Sequence, residues 1–337
     1  MKRHTLTLPT GHGSGEALYG HPHIAPKLRA IARELHLAIF KFLGNPMHHT
    51  HHFNTLLIAL LLAPLAAIHA ADRPLSDFQN LVRTETWTEK WPDAAGQMES
   101  RTVTAEVWTQ AMQAALGVQE TLHIPARAKP YYIDGPIVLK SGQKLTAHPK
   151  AEIRLKPGCS TCVVRNENIV GFADQPVPGD LKPDTDIVIE GGIWTTLATS
   201  RTEHNGNLRG GSSKQNPVHG THGVILLHNV RRVTVRNITV RQSKPFAVHF
   251  GNARDFTVDG LTLDDHRRDG VHVNGPASHG VIRRVSGDSQ DDPVPLTAWD
   301  WSNYAPSYGP IHDILIEDIT GALSVAPNSW LGLNHPE

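Results

Sequence analysis

Val224-Ile225-Leu226-Leu227-His228-Asn229, Ala247-Val248-His249-Phe250-Gly251-Asn252 and Gly270-Val271-His272-Val273-Asn274-Gly275 are three versions of one unit. Each is a short apolar run that ends at asparagine, and the asparagines Asn229, Asn252 and Asn274 lie 23 and then 22 residues apart. Further runs repeat behind the first two: Val233-Thr234-Val235 with Ile238-Thr239-Val240, then Phe256-Thr257-Val258 with Leu261-Thr262-Leu263. The third unit offers Gly280-Val281-Ile282 and Arg284-Val285, and the series goes on at Val294 and Ile314-Leu315-Ile316. Three short strands in a period of 22–24 residues, with Asn at a corner, predict an all-β chain built as a right-handed parallel β-helix. In such a solenoid each coil stacks about 4.8 Å above the last, and Asn suits the corner because it tolerates left-handed backbone angles. An antiparallel propeller is excluded by the period, since its blades need about 40 residues.

Working outward, earlier coils are expected at Pro136–Leu139, Lys144–Thr146, Ile153–Leu155, Val163–Arg165 and Ile187–Ile189. The stretches Gly171–Thr185 and Leu197–His222 break the period and read as long loops, which on a solenoid tend to wall a ligand groove. Thr104–Leu116 has a helical pattern, with Val107, Trp108, Ala111, Met112, Ala115 and Leu116 on one face, Thr104 as N-cap and Gly117 as the stop. An amphipathic helix there is suited to cap the open apolar end of the coils.

Residues 55–68 form an apolar run without charge, shorter than the about 20 residues a bilayer span needs, and small residues follow. The expected organisation is a leader over 1–46, either disordered or upstream of the true start at Met47, and a signal peptide over 47–70. An extended lead-in over 71–100 then precedes a β-helix over 101–337. The product is expected to be secreted or periplasmic, monomeric, and without a membrane anchor after cleavage. No amphipathic helix or further repeat covers the last coil before Glu337, so either the natural reading frame is expected to continue or the product is expected to be poorly soluble and nearly inactive alone.

The formal net charge is zero, yet residues 200–290 carry 13 Lys/Arg against 7 Asp/Glu. That local excess admits two readings, an anionic ligand or a solvated arginine-rich surface; nothing suggests nucleic acid. Cys159 and Cys162 are the only cysteines. One CxxC without further ligands or a βαβ context predicts a local disulfide or two packed thiols rather than a metal or redox centre.

Asp269 stands just before a coil's strand, and Asp291-Asp292 occupy the same corner one coil later, 22 and 23 residues on. Carboxylates that close are costly unless they hold a cation or perform acid–base chemistry, although Asp is also common at plain turns. Glycoside hydrolysis needs such a group, with a protonated acid for the leaving oxygen and an ionised partner for the water. His222, His249 and His272 recur near coil starts and are expected to contact sugar or solvent rather than metal. Trp299 follows the acidic pair closely enough to stack on a sugar ring or to pack a loop. No cofactor is implied.

DGVHV (269–273) and the pair Asp291-Asp292 resemble the NTDG and GDD motifs of the polygalacturonase-like glycoside hydrolases of family 28, within the pectin lyase-like superfamily. Residues 121–158, TLHIPARAKPYYIDGPIVLKSGQKLTAHPKAEIRLKPG, resemble that family's first coils. The resemblance spans roughly residues 101–320. It implies an inverting hydrolase of an anionic, pectin-like polysaccharide, with Asp291 as general acid and Asp269 and Asp292 activating water. Arg267, Arg268, His272, Trp299 and His312 are the expected substrate contacts. The departures are specific. Arg267-Arg268 replace the family's Asn-Thr, no GHG follows, His312 stands in IHD, and the later Arg-x-Lys is absent. Pro293 and Pro295 sit where a strand should run and lack N–H groups. A Ca²⁺-dependent lyase and a non-catalytic carbohydrate-binding β-helix remain alternatives on the same fold.

Overall fold

The computed structural model describes residues 72–92, 95, 97–159, 161–169, 182–197, 223–298 and 307–321, all within the compact unit Ala71–Glu337. They are mostly β. After a 3-10 helix, Leu75–Leu81, come β1 (Arg83–Pro92), β2 (Met98–Val107), α1 (Thr109–Leu116), β3 (Thr121–Ile124), β4 (Tyr131–Ile133) and β5 (Ile137–Leu139). The chain continues through β6 (Lys144–Leu155), β7 (Val164–Asn166), β8 (Asp184–Thr195), β9 (Ile225–Arg241), β10 (Val248–Asp264) and β11 (Val271–Gly287). It closes with β12 (Leu296–Thr297) and β13 (Ile311–Ile319). Apart from the antiparallel β1–β2 hairpin, every pairing is parallel, so successive turns of chain stack on one another.

The repeat read in the sequence is the repeat of the structure. Ile225, Val248 and Val271 stand in register at the starts of β9, β10 and β11. Each of these strands bends at corners where the backbone is left-handed. One column of corners is Asp186, Arg232, Asp255, His279 and Asp313; a second is Asn237, Gly260, Arg284 and Asp318. A side chain with positive φ is strained, and neighbours along the stack bond one another there. Arg232 donates to Asp186 at 2.7 and 2.8 Å, and Asn252 to Asn229 at 3.0 Å. Asn229 and Asn252 have φ 56 and 48, as their corner role requires. Asn274 does not share that role. The register pairs it with Gly251, so Gly275 and Pro276 together stand opposite Asn252 and one extra residue enters the coil before Ala277.

Inward side chains form aliphatic ladders. Val233, Phe256, Gly280 and Ile314 make one rung series, and Val235, Val258, Ile282 and Ile316 another. Gly280 is small because Phe256 is large: a Cβ at 280 would lie 2.4 Å from the Phe256 ring. At the amino-terminal end Met112, Ala115 and Leu116 of α1 pack with Leu75 and Phe78 into the same core. Each fully buried side chain of that size contributes about 1.5–3 kcal/mol.

The helix buries Ala111, Met112, Ala115 and Leu116 on the expected face, but it starts later than expected, and Val107 belongs to β2. Thr104 lies in β2, opposite Thr86, with the two hydroxyls 2.9 Å apart; Trp108 is the N-cap and the helix begins at Thr109. The β-branched run Thr102-Val103-Thr104 finds a cross-strand partner in β1, and that pairing outweighs a helical turn. The lead-in holds the 3-10 helix and the hairpin, in which Glu89 is buried under two bonds from Arg101, at 2.6 and 2.8 Å.

The prolines are tolerated because they bond in one direction. Their carbonyls accept from the coil below: Val271 N–H donates to Pro293 O and Val273 N–H to Pro295 O. A residue's N–H lies on the same side of a strand as its C=O, so the prolines return no N–H bond to β11, and the strand beyond them, β12, is only two residues long. Cys159 and Cys162 are not joined in a disulfide, and full burial pushes the Cys162 thiol up to about 11. No helix among the described residues is long and apolar enough to cross a membrane. The expected signal peptide, the upstream leader, most of the two long loops and residues 322–337 lie outside the described residues.

Candidate functional site

Along β9, β10 and β11 the odd-even alternation sends Val271 and Val273 inward, with their counterparts, and His272 and Asn274 outward. Two outward columns result. One holds Arg165, Leu226, His249 and His272; the other holds His228, Gly251, Asn274 and Thr297. An outer face is usually wet, yet His249 is 0 % exposed, His272 1 % and Asn274 2 %. Polar groups so enclosed must bond one another, and they do. His272 Nδ1 is 2.7 Å from Asp269 Oδ2, and its Nε2 is 2.6 Å from Thr297 Oγ1. Asn274 Nδ2 donates to Thr297 Oγ1 at 3.0 Å, and Asn274 Oδ1 lies 2.6 Å from His249 Nε2. One set of proton positions satisfies every link. His272 donates from Nδ1 to the carboxylate, Thr297 donates to His272, the Asn274 amide donates to Thr297, and His249 donates to the Asn274 carbonyl.

Carboxylate, imidazole and hydroxyl in that order form the relay of covalent hydrolases. Here Thr297 is only 5 % exposed and its hydroxyl is spent inside the network, so the chain acts as a scaffold that fixes Asp269. Sequence reading found Asp269 and His272 but missed Thr297, Asn274 and His249 as their partners. The alternation of Val-His-Val-Asn could have flagged Asn274; the prolines before Thr297 hid its strand.

Asp292 is the register mate of Asp269. Gly270 N–H donates to Asp292 O just as Ala247 N–H donates to Asp269 O, so the column runs Phe246, Asp269, Asp292 at one strand spacing, about 4.8 Å. Asp291 stands one residue earlier, level with Arg268, and its carbonyl accepts from Ser289 Oγ at 2.6 Å. Asp269 is buried, whereas Asp291 and Asp292 are half-buried. The register therefore brings the three expected aspartates to one corner of two adjacent coils.

Arg267 and Arg268 border them. Arg267 pairs with Asp265 at 2.6 Å, and the Arg268 guanidinium lies 4.9 Å over the Phe246 ring, which stacks on His272 at 4.0 Å. Lys244 is held below the usual lysine range by partial burial and by the charge of Arg268. His312 is elsewhere. It sits on β13 opposite Ser278, exposed, beside Asp313 and His279. Trp299 and His222 lie outside the described residues.

Beneath the corner His266 Nε2 donates to the Asp269 carbonyl at 2.9 Å. Complete burial lowers it to about 4, against 6.5 in the open chain. Below pH 6.5 the unfolded chain therefore takes up a proton that the folded chain refuses until about pH 4, and folding loses stability across that window. Between pH 7 and pH 5 the loss from this group is about 2 kcal/mol. His266→Gln keeps a donor for the carbonyl and does not titrate. Urea unfolding at both pH values is expected to show a smaller pH effect in the variant by about that amount; equal pH effects would contradict the assignment.

No family model and no curated protein sequence matches the chain. Among solved structures it is similar to the surface protein and adhesin PfbA of Streptococcus pneumoniae, at 14% identity and TM-score 0.48, over 74% of this chain and 61% of that one. A second structure of that adhesin matches at 14% identity and TM-score 0.39, over 57% of this chain and 53% of that one. A glycosyl hydrolase candidate from Parabacteroides merdae ATCC 43184 matches at 14% identity and TM-score 0.38, over 66% of this chain and 93% of that one. The chain thus spans about three fifths of one adhesin structure and about half of the other.

Proposed function

We propose that this chain is an exported right-handed parallel β-helix that hydrolyses glycosidic bonds in an anionic, pectin-like polysaccharide. One observation carries the reading: Asp269 and Asp292 lie in register on adjacent coils, with Asp291 beside them and Arg267, Arg268 and Lys244 along the same edge. Asp291 is assigned as the acid that protonates the leaving oxygen. Asp292 takes the proton of the attacking water, and Asp269, locked by His272, supplies a fixed negative charge next to it. Inverting hydrolysis needs its two carboxyl groups roughly 6.5–9.5 Å apart to admit that water.

The burial of Asp269 inside a satisfied network favours a second reading, in which the same face binds polysaccharide without cleaving it. Incubating the full chain with polygalacturonate separates the readings. Hydrolysis is expected to release reducing ends without ultraviolet-absorbing products and without sensitivity to chelator. Unsaturated products lost on chelation would establish a lyase instead, and binding with no released sugar would establish a binding module.

A further inference from the structure

We propose that Lys244 and Arg268 form a clamp for the carboxylates of the polysaccharide at the edge of the acidic corner. The proposal rests on reading this face as a polysaccharide site and adds what selects the substrate.

The arginines around the corner are accounted for. Arg241 meets Asp264 at 2.6 Å, Arg267 meets Asp265 at 2.6 Å, and Arg283 and Arg284 both meet Asp259 at 2.8 and 2.6 Å. Arg268 and Lys244 differ. Among the described residues neither has a carboxylate within bridging distance, although both are half-buried. The Arg268 Nε is enclosed and has no hydrogen-bond acceptor. Arg267 N–H donates to Ser243 O, which sets Lys244 level with Arg267 one coil below, and the charge of Arg268 acts on Lys244, so the two cations are near neighbours and neither is bridged to a carboxylate of the described residues. Like charges partly withdrawn from water destabilise the free protein, and an anion placed between them removes the penalty.

The shape favours a carboxylate. The guanidinium is held over Phe246, itself buried and stacked on His272, so the planar fork is oriented before ligand arrives. A carboxylate accepts two parallel bonds from such a fork, and the lysine ammonium adds a mobile point charge. The neighbourhood also explains the need. Asp269, Asp291 and Asp292 repel a polyanion, so a polymer of uronates can cross them only if its other carboxylates are held nearby. A neutral glycan would need no such pair.

Isothermal titration of the full chain with an oligogalacturonate and with its methyl ester tests the clamp. The acidic oligomer is expected to bind more tightly, with an affinity that falls as salt rises. Lys244→Ala and Arg268→Ala are each expected to weaken acidic-oligomer binding roughly tenfold or more while leaving the ester unchanged. Arg268→Lys, which keeps the charge but loses the fork, should fall between. Arg254→Ala, on a different strand segment and paired with Asp255, should bind as the parent does. Circular dichroism confirms that each variant is folded. Equal affinity for acid and ester, no measurable binding of the acid, or unaltered binding by both alanine variants overturns the clamp. Selective binding without released reducing ends keeps the clamp and removes the hydrolase reading; released reducing ends with both alanine variants binding normally do the reverse.

Discussion

Asp291→Asn is expected to reduce turnover of a polygalacturonate-type substrate by roughly 10²–10⁴-fold, the usual worth of a general acid. An amide has the shape of the protonated carboxyl but no proton it can transfer. The folded state should be little affected, because Asp291 is half-buried at a corner and its backbone carbonyl, bonded to Ser289, is unchanged. Substrate affinity should also survive. The test becomes specific with an aryl glycoside whose phenolate leaves without protonation. On that substrate Asp291→Asn should lose far less, whereas Asp292→Asn should lose activity on both, since water still needs its base. If Asp291→Asn keeps most of its turnover on the polymer, or if both variants respond alike to the leaving group, the division of labour between these residues is wrong.

The ladder was legible because it is periodic. Val233, Phe256 and Gly280 must point inward at every coil, so their spacing of 23 to 24 residues leaves a mark that survives loops of any length. Single events were less legible. Asn274 carries the residue type of a corner but sits one place before it, because Pro276 follows an inserted residue, and composition alone cannot reveal a register shift. Thr104 suits a helix N-cap, and only the partner strand β1 decides against it. The acidic corner follows from spacing, since Asp269 and the pair Asp291-Asp292 are one coil apart and residues one coil apart stack whatever the rest of the fold does. Lys244, Phe246 and Thr297 could not be found that way. Their roles come from contacts made across coils, Phe246 with Arg268 and His272, and Thr297 with His272 and Asn274.

His272→Leu is expected to cost roughly 3–5 kcal/mol of stability, the penalty for stripping the partner from a buried charge. Asp269 is 3 % exposed and its Oδ2 lies 2.7 Å from the imidazole; a leucine fills similar space but offers no donor. Thr297 Oγ1 loses its 2.6 Å acceptor at the same time and keeps only the Val273 carbonyl at 3.4 Å, so the carboxylate bears most of the loss. The cost belongs to the charge more than to the lost contact, which makes a second substitution informative. Adding Asp269→Asn to His272→Leu removes that charge and should recover more than half of the lost stability, although the double variant lacks both members of the pair. Urea unfolding of the parent, both single variants and the double variant gives the coupling directly. A buried carboxylate held by its histidine predicts that the double variant is more stable than His272→Leu alone. If the two losses simply add, Asp269 does not depend on His272 for its place in the fold, and the fixed negative charge assigned to it beside Asp292 has no structural support.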